Sequence, residues 1–141
     1  MVVLDVSVLV YALREDTARH EAALAWLQGR LATPTELVVV PDLVWVGFAA
    51  VVTSPRVFAQ PSTVPEVTAF ARAVGAQPTY RRVPGLILGI EALLSAMRDG
   101  QARANLVPDA YVAAVAIQLD AELATFDKDF HRFDGLRIAT L

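Results

Sequence analysis

Three aspartates stand where the apolar character of this 141-residue chain breaks. Asp5 closes Val2-Val3-Leu4, and Asp127 closes Leu123-Ala124-Thr125-Phe126. Asp109 opens the run Ala110-Tyr111-Val112-Ala113-Ala114-Val115-Ala116-Ile117. A carboxylate at the end of a buried strand or the start of a buried helix carries a desolvation cost unless something binds it. In parallel α/β sheets the carboxyl ends of the strands share one edge, and ligands bind there. Three acids brought to that edge repel one another unless a cation neutralises them. The chain has no Cys and only His20 and His131, so the ligand set is oxygen, which suits Mg2+ or Mn2+. Such an ion polarises a phosphodiester and lowers the pKa of a bound water, which is the chemistry of hydrolysis. The plainer alternative is that each aspartate caps a local helix, at about 1 kcal/mol apiece. Capping accounts for any one of the three more easily than for all of them.

The elements that must position these acids follow from periodicity. Val2–Leu4 reads as a strand, and Val6, Leu9, Val10 and Leu13 then keep helical spacing, so strand turns into helix at Asp5. A second helix is expected from near Thr17, with Ala23, Leu24, Leu27 and Leu31 on one face and Pro34 beyond its end. Residues 37–40 form a β-branched run suited to a strand buried on both faces. Pro41-Asp42 starts a helix carrying Val44, Phe48, Val51 and Val52, which Ser54-Pro55 stops. Thr63-Val64-Pro65-Glu66 is a capping-box sequence, and its helix should bury Val67, Phe70, Ala71 and Val74. A short strand fits 79–83, and Leu86, Ile90, Leu93, Leu94 and Met97 form an apolar stripe ending at Gly100. The helix after Asp109 is apolar nearly all round, which marks it as central. Strands at 123–126 and 136–139 complete a three-layer α/β/α fold on a mostly parallel sheet, in a single domain spanning 1–141.

Composition narrows the function. With 55% hydrophobic and 19% charged residues, disorder is excluded. The absence of Cys removes disulfides, thiolate catalysis and Cys-based zinc sites. The N-terminus has no basic region, and the longest uninterrupted apolar run, 43–52, is too short to span a membrane. A cytoplasmic, soluble protein is expected. Net charge is −3, against nucleic-acid binding through an overall basic field. Eleven of the twelve basic residues are Arg and one is Lys128. Arg56, Arg81, Arg82, Arg103, Lys128 and Arg132 are candidate phosphate contacts, although ordinary solvated charge is the commoner role for each.

The order and flanks of the aspartates resemble a known family. Leu4-Asp5-Val6-Ser7-Val8-Leu9 resembles the opening motif of PIN-domain ribonucleases, and Asn105-Leu106-Val107-Pro108-Asp109-Ala110-Tyr111 through Ala116 resembles their third motif. Thr125-Phe126-Asp127-Lys128-Asp129-Phe130 is similar to the fourth, and Val52-Thr53-Ser54-Pro55-Arg56-Val57-Phe58 is similar to a segment of the VapC toxins of bacterial toxin–antitoxin pairs. The likeness runs from residue 2 to about residue 138. It implies a PIN-like fold and an Mg2+-dependent endoribonuclease (Mn2+ being possible) that leaves a 5′-phosphate and a 3′-hydroxyl. It also implies a homodimer and a cognate VapB-type antitoxin laid across the acidic groove. Asp5 and Asp109 would be the main metal ligands, with Asp127 completing the pocket. Ser7 and Thr125 would offer hydroxyls to metal waters or to a carboxylate; the local alternatives are a cap at Ser7 and a plain strand residue at Thr125.

One departure stands out. The family usually carries an acid within the helix after the second strand, and here that helix reads Leu43-Val44-Trp45-Val46-Gly47-Phe48-Ala49-Ala50. Asp42 is the nearest candidate; it either substitutes from about a turn away or caps the helix. The alternative function is therefore a weak or inactive PIN-like module acting by protein or RNA binding. A haloacid-dehalogenase type of phosphohydrolase is disfavoured because Ser7 stands where a second Asp is needed, and no P-loop pattern is present.

Overall fold

A computed structural model of the chain describes residues 1–83, 86 and 89–141. Five strands, β1 (Val2–Leu4), β2 (Val38–Val39), β3 (Tyr80–Arg81), β4 (Glu122–Ala124) and β5 (Arg137–Ile138), form one parallel sheet in the order β3-β2-β1-β4-β5. Six helices connect them: α1 (Val6–Leu13), α2 (His20–Ala32), α3 (Asp42–Val52), α4 (Val64–Gly75), α5 (Ile90–Asp99) and α6 (Val107–Gln118). This is the expected three-layer α/β/α arrangement.

The strand order explains where a site can form. From β1 the chain crosses to β2 on one side, whereas from β4 it crosses to β5 on the other. Neighbouring strands whose connections diverge leave a crevice beyond their carboxyl ends. β1 and β4 are that pair, in register Val2↔Glu122, Val3↔Leu123 and Leu4↔Ala124. The ladder runs one residue further, since Asp5 N–H donates to Ala124 O at 3.0 Å. Asp5 is thereby fixed at the mouth of the crevice.

The central strands β1 and β2 are short but apolar on both faces, as a sheet covered on two sides requires. Val2, Val3, Leu4, Val38 and Leu123 are all fully buried. Helix α6 supplies much of the opposing layer, burying Ala110 and all of 112–116. On α4 the capping box of Thr63 and Glu66 is present, but only Val74 is fully buried, while Val67, Phe70 and Ala71 are partly covered.

Two expectations are corrected. Helix α2 begins at His20 rather than near Thr17, because Thr17 folds back on α1: its N–H and Oγ1 both donate to Arg14 O, at 3.2 and 2.8 Å. The α5 stripe packs only in part: Leu86, Leu93 and Met97 lie against the core, and Ile90 and Leu94 do not. Ala96 is buried with Ala92, Leu93 and Met97 beside it, whereas Ile90 and Leu94 stay 59% and 39% exposed. α5 thus packs through Ala92, Leu93, Ala96 and Met97, with Ala96 the one fully buried.

Candidate functional site

The crevice beyond β1 and β4 is an open pocket of about 460 Å³. Asp5, Ser7, Asp109 and Asp127 line it together with Val10, Tyr11, Thr17, Val51, Val57 and Phe58. Three acids, one of them more than a hundred residues from the other two in sequence, thus face one space. A larger groove of about 780 Å³ runs past Arg14, Gln60 and Glu66, where Asp16 is committed to Arg14 and Glu66 to Thr63, and none of these three aspartates lines it. The smaller pocket is the one on which Asp5, Asp109 and Asp127 converge.

Asp5 is buried, at 6% exposure, and its Oδ2 is crowded. It accepts from Ser7 Oγ at 2.6 Å, Thr125 Oγ1 at 2.8 Å and Ser7 N–H at 3.2 Å. Because both hydroxyls donate to the carboxylate, both oxygens are left as acceptors. Ser7 Oγ takes Phe126 N–H and Thr125 Oγ1 takes Asp127 N–H, each at 3.0 Å. Asp5 therefore caps α1 and also anchors the segment that carries Asp127; the capping and the pocket readings coexist there. No hydrogen bond to Oδ1 occurs among the described residues, so that oxygen keeps its lone pairs for a ligand.

Asp109 lies in the first turn of α6, behind Pro108, and is half-buried. Burial pushes its carboxyl up to about 6, reinforced by the charges of Asp5, Asp127 and Asp129 and opposed by Arg132. Asp127 is exposed, and its Oδ1 accepts Asp129 N–H at 2.8 Å, capping the short 3-10 turn Lys128–Arg132.

The donors are carboxylates and hydroxyls converging on one pocket, and Asp109 carries like charges around it. Both facts fit a hard divalent cation. Among the described residues, however, no three Asp, Glu or His side chains stand at metal-ligand spacing. Asp127 Oδ1 is instead taken by the Asp129 N–H at 2.8 Å.

The remaining sequence candidates fall into two groups. Asp42 does not line the pocket and does not cap α3, where Pro41 is the N-cap. Its carboxylate is held by the Arg82 fork, Nη2 at 2.8 Å and Nε at 3.2 Å, and that hydrogen bonding keeps it below the usual carboxylate range. Arg132 stands at the pocket's edge, 3.6 Å from Asp129. Arg56 adjoins Val57 of the pocket wall and is exposed, as are Lys128 and Arg103.

Two basic residues next to the pocket escaped the sequence reading. Arg14 pins the loop that carries Val57 and Phe58: it donates to Gln60 O at 2.9 Å and Ser62 Oγ at 3.0 Å, and its Cζ lies 4.1 Å from the Phe58 ring centroid. Arg19 rests on Tyr11 and Phe126. Their contacts beside the pocket run across the chain, Arg14 to Gln60 and Ser62 and Arg19 to Phe126, and nothing local in the sequence signals those.

Comparison with known proteins returns a consistent picture. The profile of the PIN domain matches residues 2–136. The chain is 32% identical to ribonuclease VapC25 of Mycobacterium tuberculosis over 97% of its own length and 96% of that protein. It is 36% identical to VapC ribonuclease Mb2897 of Mycobacterium bovis, over 97% and 92%. Among solved structures it resembles Mycobacterium tuberculosis VapC20, described as a sarcin-ricin loop cleaving toxin, with a TM-score of 0.68 at 18% identity over 97% of this chain and 99% of that one. It also resembles VapBC2 of Rickettsia felis bound to a promoter DNA fragment, with a TM-score of 0.64 at 14% identity over 99% and 98%.

Proposed function

The chain belongs to the PIN-domain family, and from that premise we propose that it is a metal-dependent endoribonuclease, the toxin of a toxin–antitoxin pair. The observation that carries this is the convergence of Asp5, Asp109 and Asp127 on one pocket at the β1/β4 crevice. Relatives that cover nearly the whole chain and are named as ribonucleases support the substrate class. A solved VapBC complex supports an antitoxin partner of the VapB type.

Asp5 and Asp109 are the main ligands for Mg2+ or Mn2+ in this reading, with Asp127 joining them. When bound, the ion supplies charge for the scissile phosphate and a more acidic water for in-line attack. The protein's share is positioning. Ser7 and Thr125 hold Oδ2 of Asp5, so Oδ1 meets its ligand without a rotameric search. Val10, Val51, Val57 and Phe58 give the pocket an apolar side that limits water and strengthens its charges. RNA is the substrate, the cytoplasm the compartment and a homodimer the working form. No helix among the described residues is long and apolar enough to cross a membrane.

A second reading, a PIN-like module that binds without cleaving, draws on the absence of any acid from α3 in the pocket lining. One experiment separates the two. A panel of structured RNAs is incubated with Mn2+ and either wild type or Asp5→Asn. The endonuclease reading expects cleavage that EDTA and Asp5→Asn both abolish, with 5′-phosphate ends. Cleavage indifferent to Asp5→Asn overturns the metal site, and no cleavage by wild type favours the binding module.

A further inference from the structure

Arg19 precedes α2 and sits at the rim of the acidic pocket. Its guanidinium Cζ lies 4.9 Å from the Phe126 ring centroid and 5.6 Å from that of Tyr11. Those two rings meet edge to face at 5.2 Å. Arg19 Nη1 donates to Phe126 O at 3.3 Å, and this is the one hydrogen bond of its side chain among the described residues. Both rings belong to the site. Tyr11 lines the pocket, and Phe126 immediately precedes Asp127, with its N–H held by Ser7.

What Arg19 lacks is an anion. Among the described residues it enters no ion pair, although Asp5, Asp109 and Asp127 line the adjoining pocket. Two other cations around the site are already paired, Arg14 with Asp16 at 2.7 Å and Arg132 with Asp129 at 3.6 Å. A guanidinium carries five N–H donors in a rigid plane. One of these is used here, and the contact with two rings restrains the plane, so little ordering entropy is left for an incoming ligand to lose. A fork of this kind matches a phosphate.

We propose that Arg19, seated on Tyr11 and Phe126, is a substrate-binding residue that takes an RNA backbone phosphate flanking the scissile one. This rests on the ribonuclease reading above. It gives an acidic pocket in an acidic protein a fixed cation with which to hold a polyanion in register with Asp127.

The test compares wild type, Arg19→Ala and Arg19→Lys on total tRNA and rRNA in Mn2+, with initial rates taken over a substrate and a salt series. Arg19→Ala is expected to raise KM about tenfold with kcat nearly kept, and to flatten the slope of log KM against log salt by about 0.7, one phosphate contact on a single strand. Arg19→Lys keeps the slope but still raises KM, because a point charge replaces the fork. The thermal midpoint stays unchanged, since Arg19 is exposed. Unchanged KM and slope in Arg19→Ala, with wild type still cleaving, overturn the proposal and leave the ribonuclease reading standing. A lowered midpoint with an unchanged slope also overturns it, leaving Arg19 only the task of holding two rings. Absence of cleavage by wild type removes the reading and the proposal together.

Discussion

Thr125 donates its hydroxyl to Asp5 Oδ2 at 2.8 Å, closing a contact between residues 120 positions apart in the chain. The bond joins the end of β1 to the end of β4, the two strands whose divergent connections open the crevice. Since Thr125 Oγ1 also accepts Asp127 N–H at 3.0 Å, one buried hydroxyl sets the relative placement of two of the three pocket acids.

Thr125→Val keeps the shape and removes both bonds. The Asp5 carboxylate loses a buried partner and the Asp127 N–H a part-buried one, so the variant should lose about 1–3 kcal/mol of stability, read as a lower urea midpoint. Metal-dependent cleavage should fall by about tenfold or more, because a displaced acid costs alignment. Thr125→Ser, which restores the hydroxyl, should recover most of the activity. Full activity in Thr125→Val would show that Asp5 is held well enough by Ser7 alone.

Asp109 links the site to pH. Its folded carboxyl, pushed up to about 6 by burial and neighbouring acids, binds a proton that the unfolded chain releases near 3.8. The metal-free fold therefore loses stability as pH rises through that window, and Asp109→Asn, which cannot ionise, should lack this slope. A divalent cation binds the ionised form, so its affinity should strengthen from about pH 5 to about pH 7 with proton release at the lower end. Calorimetric titration of wild type in buffers of different ionisation enthalpy measures both. Mn2+ affinity that is flat across this range would contradict the role given to Asp109.

Part of this site was readable before folding. Val2–Leu4 and the apolar surround of α6 announce their own burial, so the acids at their ends stand out as misplaced charge. The sheet order was not readable, because short apolar strands carry no record of which neighbour they pair with. The hydroxyls of Ser7 and Thr125 had equally good local explanations in sequence, and only the β1/β4 register brings both to Asp5. Arg19 was invisible for the same reason: its partners, Tyr11 and Phe126, lie 8 positions before it and 107 after it.

Asp42 was the sequence's nearest replacement for the acid missing from α3, and its geometry argues against that role. It forms an exposed pair with Arg82, and pairs of this kind contribute little to folding. Asp42→Asn should leave Mn2+ affinity, cleavage and the urea midpoint essentially as in wild type. A marked loss of Mn2+ binding would mean that Arg82 releases Asp42 to the pocket when the cation enters.

Gly47 sets how closely α3 packs on α1. It lies one turn before Val51, a pocket residue, and a Cβ placed on it would sit 2.8 Å from Val6 Cγ2. Val6 follows Asp5 directly and begins α1, so α3 packs on α1 through this glycine, beside the acid that matters most. In open space Gly→Ala within a helix gains about 0.5–1 kcal/mol. Here Val6 is β-branched, stiff at χ1 and confined, so overpacking should outweigh that gain and cost about 1–3 kcal/mol. Gly47→Ala is therefore expected to lower both the urea midpoint and cleavage, as α1 shifts and carries Asp5 with it. Combining it with Val6→Ala removes the clash and should return most of the activity, a coupling that a double-mutant cycle measures. If Gly47→Ala proves stabilising, Val6 has room to move, and the close approach of the two helices does not constrain Asp5.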